Sequence, residues 1–380
     1  MKKDIYLDYH ATTPVLPVVA EAMAPYLREH FGNANSNHKW GWKAEMAVSK
    51  ASRQVADLVG CEPSQVYFTS GATESIHWAI IGWADQNPGG TIITTATEHK
   101  ATYGACEWAE KLGCKIIIVP VDEFGFVQID AIKKELGKGP ALVSVIHGNN
   151  EIGTINPIGD IAKLVHSYPN SFVHVDCAQS VGKIEVDFKA MDLDYLSFSG
   201  HKLYAPKGVG GLLVKDPESL SPLFIGGGQQ RGLRAGTINV PSVVGLGAAC
   251  QWCNQHLDAE KARLSQLRDS MIERLLTTDQ VLLNGHLQQR LPYNISLTFE
   301  TTTMDKLLLK LNNIAFSSSS ACASKKPEPS HVLMAIGRSP EQASRTLRFG
   351  LGHDTTTEEV EIVCSLLIEL LAEADPFARP

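Results

Sequence analysis

The sequence predicts an α/β protein: a mostly parallel sheet of seven strands, covered by helices, with a smaller α+β domain beside it. Three observations carry this. First, seven apolar, β-rich runs recur: QVYFT (65–69), TIITT (91–95), KIIIVPV (115–121), ALVSVI (141–146), FVHV (172–175), YLSF (195–198) and GGLLV (210–214). Runs of this kind suit strands buried on both faces. Second, helical patterns lie between them. Ile76, Ala79, Ile80 and Trp83 fall at helical spacing after the first run, so 69–73 is a strand-to-helix turn. Third, the texture changes from about residue 258. Leu264, Leu267, Met271 and Leu275 mark a long amphipathic helix, shorter strands such as NISLTF follow, and Thr355 with Glu358 forms a capping box before Val360, Val363, Leu367 and Leu370.

Length and composition set bounds. A chain of 380 residues exceeds the roughly 250–300 residues at which single cores stop growing, so two domains are expected. A net charge of −7 and an isoelectric point near 6.0 provide no basic footprint for nucleic acid. The opening MKKDIYLDYHATTPV has no apolar signal core, and no run approaches about 18 apolar residues, so a cytoplasmic, unanchored protein is expected. The 8 cysteines are scattered, as reduced thiols are. Cys250 and Cys253 form a C-x-x-C in a helical context without a second ligand pair; packing is expected there, and no metal site.

Parallel sheets bind ligands at the carboxyl ends of their strands, so the polar residues that follow each run should converge. Ser70-Gly71-Ala72-Thr73 opens a helix, where free N–H groups suit a phosphate, or is a plain N-cap. Asp176 and Gln179 follow FVHV; Ser199, Gly200, His201 and Lys202 follow YLSF. An acid at the end of a buried strand needs a cationic partner. A lysine nearby could carry a Schiff base, and pyridoxal phosphate enzymes pair such a lysine with an acid on the pyridinium nitrogen. His99 could stack on a planar ring or be structural. Asn150 could bond a ring hydroxyl or serve a turn. The glycine-rich 226–237, with Arg231 and Arg234, suits an anion or a surface loop. Arg348, in the otherwise apolar RTLRFGLG, needs an anion, either a substrate carboxylate or an internal partner. Neither G-x-G-x-x-G after a strand nor a P-loop is present. SSSSACASKKPEP (317–329) reads as an irregular surface segment around Cys322. Lys325 and Lys326 would either favour its thiolate or merely solvate the loop.

Nine ordered motifs resemble the NifS/IscS-type cysteine desulfurases of the class V aminotransferase fold: YLDYHATTP, SGATES, TEHKA, NNEIG, HVDCAQSVGK, SFSGHKLYAPKG, RGLRAGT, SSACAS and RFGLG. The resemblance implies a fold type I pyridoxal 5'-phosphate enzyme. Its large cofactor domain would span 15–258, and its small domain would join 1–14 to 259–380 and carry the cysteine loop at about 317–330. It implies that Lys202 is the Schiff-base lysine and proton shuttle, and that Asp176 holds the pyridinium charge. Gln179 and Asn150 would sit on the ring-oxygen side, with His99 stacked on the ring. Ala72, Thr73, Ser199 and His201 would hold the phosphate, joined by Thr237 from the other subunit of a homodimer. Arg348, with Asn150 nearby, would clamp the carboxylate of L-cysteine, and Cys322 would take its sulfur as a persulfide, leaving alanine.

The sulfur would pass to an acceptor protein such as an iron–sulfur scaffold or sulfur carrier, for iron–sulfur cluster assembly or for tRNA or cofactor thiolation. Ser319 and Ala34 stand where the family usually has glycine and proline, and ADPFARP ends the sequence without the longer tail by which some relatives dock a scaffold. The long, proline-containing cysteine loop favours the NifS/IscS branch. Two alternatives remain open. One is an aminotransferase or selenocysteine lyase on the same fold; the other is a sulfur-relay scaffold without turnover, against which Lys202 and Asp176 argue.

Overall fold

The computed structural model describes residues 4–318 and 329–374. The chain opens with β1 (Ile5–Tyr6), α1 (Pro17–Arg28), which starts on a proline pre-set for the first turn, and α2 (Lys39–Val59). Then come β2 (Val66–Thr69), α3 (Ala72–Gln86), β3 (Thr91–Thr95), α4 (Lys100–Lys111), β4 (Lys115–Val119), α5 (Ile129–Glu135), β5 (Ala141–Ile146), α6 (Ile158–His166), β6 (Ser171–Asp176), β7 (Tyr195–Ser199) and β8 (Gly210–Val214). The remainder comprises α7 (Val240–Leu275), β9 (Val281–Leu283), β10 (Asn294–Phe299), α8 (Met304–Lys310), β11 (Ile314–Ala315), β12 (Ser317–Ser318), α9 (His331–Ala335), α10 (Pro340–Ser344), β13 (Thr346–Gly350) and α11 (Thr357–Ala374).

All seven apolar runs are strands of one sheet, ordered β2-β8-β7-β6-β5-β3-β4. Only β8 runs antiparallel to its neighbours; the other pairings are parallel. Register aligns Ile146 with Asp176 and Asp176 with Ser197, so β5, β6 and β7 end along one edge. Trp78, Trp83, Tyr67 and Tyr195 are fully buried in one of the cores of this region. A second, antiparallel sheet runs β12-β13-β10-β9.

The N-terminal segment forms a two-stranded parallel sheet, β1-β11, and links the other two. Ile5 and Tyr6 pair with Ile314 and Ala315, and Asp8 bridges Gly350. A few residues on, Thr13 N–H donates to the His201 carbonyl at 3.0 Å. Helix α7 continues unbroken through residue 258. Within it Cys250 and Cys253 are buried free thiols, and burial pushes both up, as packing residues require.

The cap of α11 lies one residue later than expected. Glu359 N–H donates to Thr356 Oγ1 at 3.2 Å and Thr356 N–H to Glu359 Oε2 at 3.1 Å. Because the helix starts at Thr357, the N-cap is Thr356; Thr355 Oγ1 instead accepts from Gly352 N–H at 2.9 Å.

Candidate active site

A cleft of about 580 Å³ opens at the carboxyl ends of the large sheet. Its floor and walls include Ala72, Thr73, His99, Asn150, Asp176, Gln179, Ser199, His201, Lys202 and Arg348. One end is shaped by the turn from β2 into α3. Gly71 caps α3 with φ 154°, a backbone that favours glycine, and a Cβ there would lie 3.4 Å from Ser199 Oγ. Gly210 opposite permits the approach, since a Cβ on it would sit 2.6 Å from the Gly71 Cα. The first N–H groups of a helix have no intrahelical acceptor, and Ala72 and Thr73 bring theirs to the cleft wall. His201 lies beside them, its Nδ1 3.1 Å from Thr12 Oγ1; burial and the flanking Lys202 and Lys207 lower it to about 4, so it is a neutral imidazole at physiological pH.

Asp176 ends β6, 2% exposed. Its Oδ1 accepts from Ala178 N–H at 2.9 Å, and no cation among the described residues pairs with it at salt-bridge distance. Burial raises its pKa, against the pull of the Ala178 N–H, His99 and Lys202. Lys202 sits in the short turn Gly200–Lys202 after β7. Its Nζ donates to the carbonyls of His10 at 2.5 Å and Ala11 at 2.7 Å. Burial lowers it to about 8, with Arg348 adding to the fall and Asp8 and Asp176 opposing it.

His99 caps α4, its Nδ1 accepting from Ala101 N–H at 3.1 Å, and this leaves Nε2 free to face a ligand. The two asparagines of NNEIG divide the roles expected of Asn150. Asn149 serves the turn, its Oδ1 accepting from the N–H groups of Glu151 and Ile152, and Asn150 lines the cleft. Gln179 lines it too, but its amide is engaged: Oε1 accepts from Tyr293 Oη at 2.6 Å and lies 3.2 Å from His10 Nδ1, while Nε2 donates to the His10 carbonyl at 3.1 Å.

Arg348, on β13, reaches the cleft and also has internal partners. It donates to the Asn150 carbonyl at 3.0 Å, Ser317 Oγ at 2.7 Å and Asp8 Oδ1 at 3.3 Å. Arg231 and Arg234 do not line the cleft. Arg234 forms a fork with Glu74 at 2.9 and 3.3 Å, and Arg231 stacks on Tyr67 and donates to the Val66 carbonyl, so both tie the 226–237 segment to β2 and α3. Thr237 is exposed and away from the cleft of its own chain. Cys322, Ser319, Lys325 and Lys326 lie outside the described residues.

Several residues of the site were not singled out in the sequence. His10 is buried, its Nδ1–H turned to Gln179 because Nε2 accepts from Asn294 Nδ2 at 3.0 Å, and it stacks on Tyr293 at 4.4 Å. Burial holds it well below the usual histidine range. Glu98, fully buried beside His99, accepts from Thr95 Oγ1 and Ile146 N–H, and burial raises it to about 8. Both lie inside quoted motifs, but an isolated polar residue carries no periodicity that would separate it from a surface position.

A cleft on the carboxyl edge of a mostly parallel sheet, lined by both a lysine and a buried acid, is the kind of ligand site an α/β enzyme carries. The family model "Aminotransferase class-V" matches residues 5–363, and the chain belongs to that family. It is 41% identical over 377 residues to "Cysteine desulfurase IscS" of Methylococcus capsulatus, covering 98% of this chain and 93% of the relative. A solved "NIFS-LIKE PROTEIN" superposes with a TM-score of 0.90 at 35% identity, covering 97% of this chain and all of the other. "SspA in complex with cysteine" superposes with a TM-score of 0.81 at 35% identity over 91% of this chain and 98% of that one.

Proposed function

We propose that this chain is a cysteine desulfurase that uses pyridoxal 5'-phosphate to convert L-cysteine to L-alanine and leaves the sulfur as a persulfide on Cys322. The observation that carries the cofactor assignment is that Asp176 and Lys202 line one cleft. A buried carboxylate without a cation suits a protonated pyridine nitrogen, and a lysine lowered to about 8 has a far larger neutral fraction near physiological pH than a solvated one, and the neutral amine is the form that attacks an aldehyde. The residues fit the rest of the group as well. Ala72, Thr73, Ser199 and His201 would hold the phosphate at the glycine-lined end, His99 would stack on the ring, and Asn150 with Gln179 would meet its oxygen side. Gln179 would do so from a fixed orientation, because its amide is held by Tyr293 and His10.

When bound, pyridoxal phosphate supplies the electron sink that makes the Cα proton of an attached amino acid acidic. The chain's own residues do the rest. Arg348 binds the substrate carboxylate and thereby orients Cα. Lys202 Nζ would take up the Cα proton and hand it back. Asp176 would hold the charge of a protonated ring nitrogen. Cys322 accepts the sulfur atom: the carbon–sulfur bond of cysteine breaks, a sulfur–sulfur bond forms, and L-alanine leaves with its atoms balanced by an enzyme –SSH.

The same reading includes a homodimer in which Thr237 reaches the partner's phosphate. Phe31, Trp40, Trp42 and Met46 are 72, 56, 54 and 69% exposed, and Phe31 and Trp40 line one depression; this apolar area suits a second copy of the chain. No helix of the described residues is long and apolar enough to cross a membrane, and the described cysteines are free, which supports the cytoplasmic reading. The sulfur acceptor would be a protein of the iron–sulfur scaffold or sulfur-carrier kind.

The deciding experiment uses purified protein with cysteine and a reductant, assaying alanine and sulfide and mapping the added sulfur by mass spectrometry. The wild type is expected to carry the extra sulfur on the Cys322 peptide. Cys322→Ser is expected to keep the cofactor spectrum and bind cysteine but release little alanine. Sulfur mapped to another cysteine would overturn the assignment.

A further inference from the structure

This inference rests on the reading of Arg348 as the clamp for the substrate carboxylate. A guanidinium has five N–H donors. In Arg348 one Nη1–H goes to the Asn150 carbonyl at 3.0 Å, the Nη2 hydrogens go to Ser317 Oγ at 2.7 Å and Asp8 Oδ1 at 3.3 Å, and Nε is buried without a partner. A single Nη1–H therefore remains for a ligand in the cleft. A forked grip on a carboxylate needs two parallel N–H groups, so Nη2 must release Ser317 or Asp8 when substrate arrives.

The resident partners are built in. Ser317 is the cross-strand neighbour of Arg348 in the β12–β13 pair. Its hydroxyl donates to Asp8 Oδ1 at 2.7 Å while accepting from Arg348, so its one proton is accounted for. The Asp8 backbone is held against Gly350, two residues beyond Arg348. Asp8 thus presents to Arg348 the same chemical group that the substrate brings.

We propose that Asp8, braced by Ser317, is a positioning residue that competes with the substrate carboxylate for Arg348 and so sets the affinity of the site for amino acids. Its carboxylate keeps the guanidinium aligned and neutralised in the empty cleft, and the substrate binds by exchange. Asp8 also supports the charged form of Lys202, while Arg348 opposes it.

The test uses the holoenzyme with Asp8→Asn, Ser317→Ala and Arg348→Ala, measuring KM and kcat for L-cysteine and the competitive inhibition constants of L-alanine and of L-alaninol, which lacks the carboxylate. Losing a partly exposed ion pair is worth up to about fivefold. Asp8→Asn is therefore expected to lower the KM for cysteine and the inhibition constant of alanine by roughly two- to fivefold, with alaninol unchanged. Ser317→Ala, which frees one Nη2 hydrogen and loosens Asp8, is expected to act in the same direction by less. A KM that rises or stays constant in Asp8→Asn, while Arg348→Ala raises it, would overturn the competition and leave the clamp standing. An Arg348→Ala variant with unchanged cysteine and alanine affinities would instead remove the clamp, and the inference with it.

Discussion

Lys202 owes its reactivity to its surroundings. Burial beside Arg348 lowers it to about 8, whereas a solvated lysine stays protonated throughout the physiological range. Lys202→Ala is expected to abolish turnover, and after borohydride reduction the variant should carry no cofactor mass where the wild type does; a retained adduct would show that another amine holds the group. Arg348→Lys keeps the charge but loses the fork. Since a charge-assisted hydrogen bond is worth about 1.5–3 kcal/mol, the KM for cysteine should rise about 10- to 150-fold, with a smaller change in kcat. Steady-state kinetics distinguish this from a purely structural arginine, whose replacement would lower the amount of folded protein and leave KM alone.

The central strands are pinned by a histidine. His174 on β6 lies between Ser144 on β5 and Ser197 on β7, 2.8 Å from each hydroxyl, and burial holds it at about 3. The folded state therefore requires the neutral ring, whereas the unfolded chain protonates it near 6.5. This contribution to stability is complete above about pH 6.5 and is lost as pH falls from there toward about 3. His147, held at about 4 by burial, acts in the same direction. His174→Gln is expected to be less stable at pH 7, since broken buried hydrogen bonds cost about 1–3 kcal/mol, yet to lose less stability between pH 7 and pH 4.5 than the wild type. Urea midpoints at the two pH values check this; equal losses in both proteins would mean that His174 does not drive the acid sensitivity. The strand ends were readable from sequence because a buried strand is a local apolar run and its ligand-facing residue comes next along the chain. The brace across three strands was not, because each of its members looks like an ordinary polar residue within its own run.

The exposed aromatic area around Phe31 and Trp40 and the distance of Thr237 from its own cleft lead to a mixing experiment for the whole assembly. Lys202→Ala chains, inactive alone, and Thr237→Ala chains, weakened alone, are expected to regain part of the activity once subunits exchange, because a mixed dimer can hold one intact site. Exchange proven by mass spectrometry without recovery would remove Thr237 from the partner's site. Unlike the kinetic tests on Arg348, this experiment bears on how a site is assembled from two chains.

The seven strand runs, the small residues opening α3 and the placement of Asp176 and Lys202 at or just past the ends of their strands were legible along the chain, and the cleft brings these residues together. These features depend on neighbours in sequence: apolar runs, turn-forming glycines, and a polar residue where a strand ends. The partners of those residues depend on packing. Gln179 is held by Tyr293, 114 residues away, and Arg348 by Asp8, 340 residues away. Arg231 and Arg234, which looked suited to an anion, are used on Tyr67 and Glu74. A charged or amide side chain carries its bonding capacity in its chemistry, but which acceptor satisfies it depends on which distant strand is folded alongside. That is decided when the N-terminal segment and β13 close over the ends of the large sheet, and no local periodicity records it.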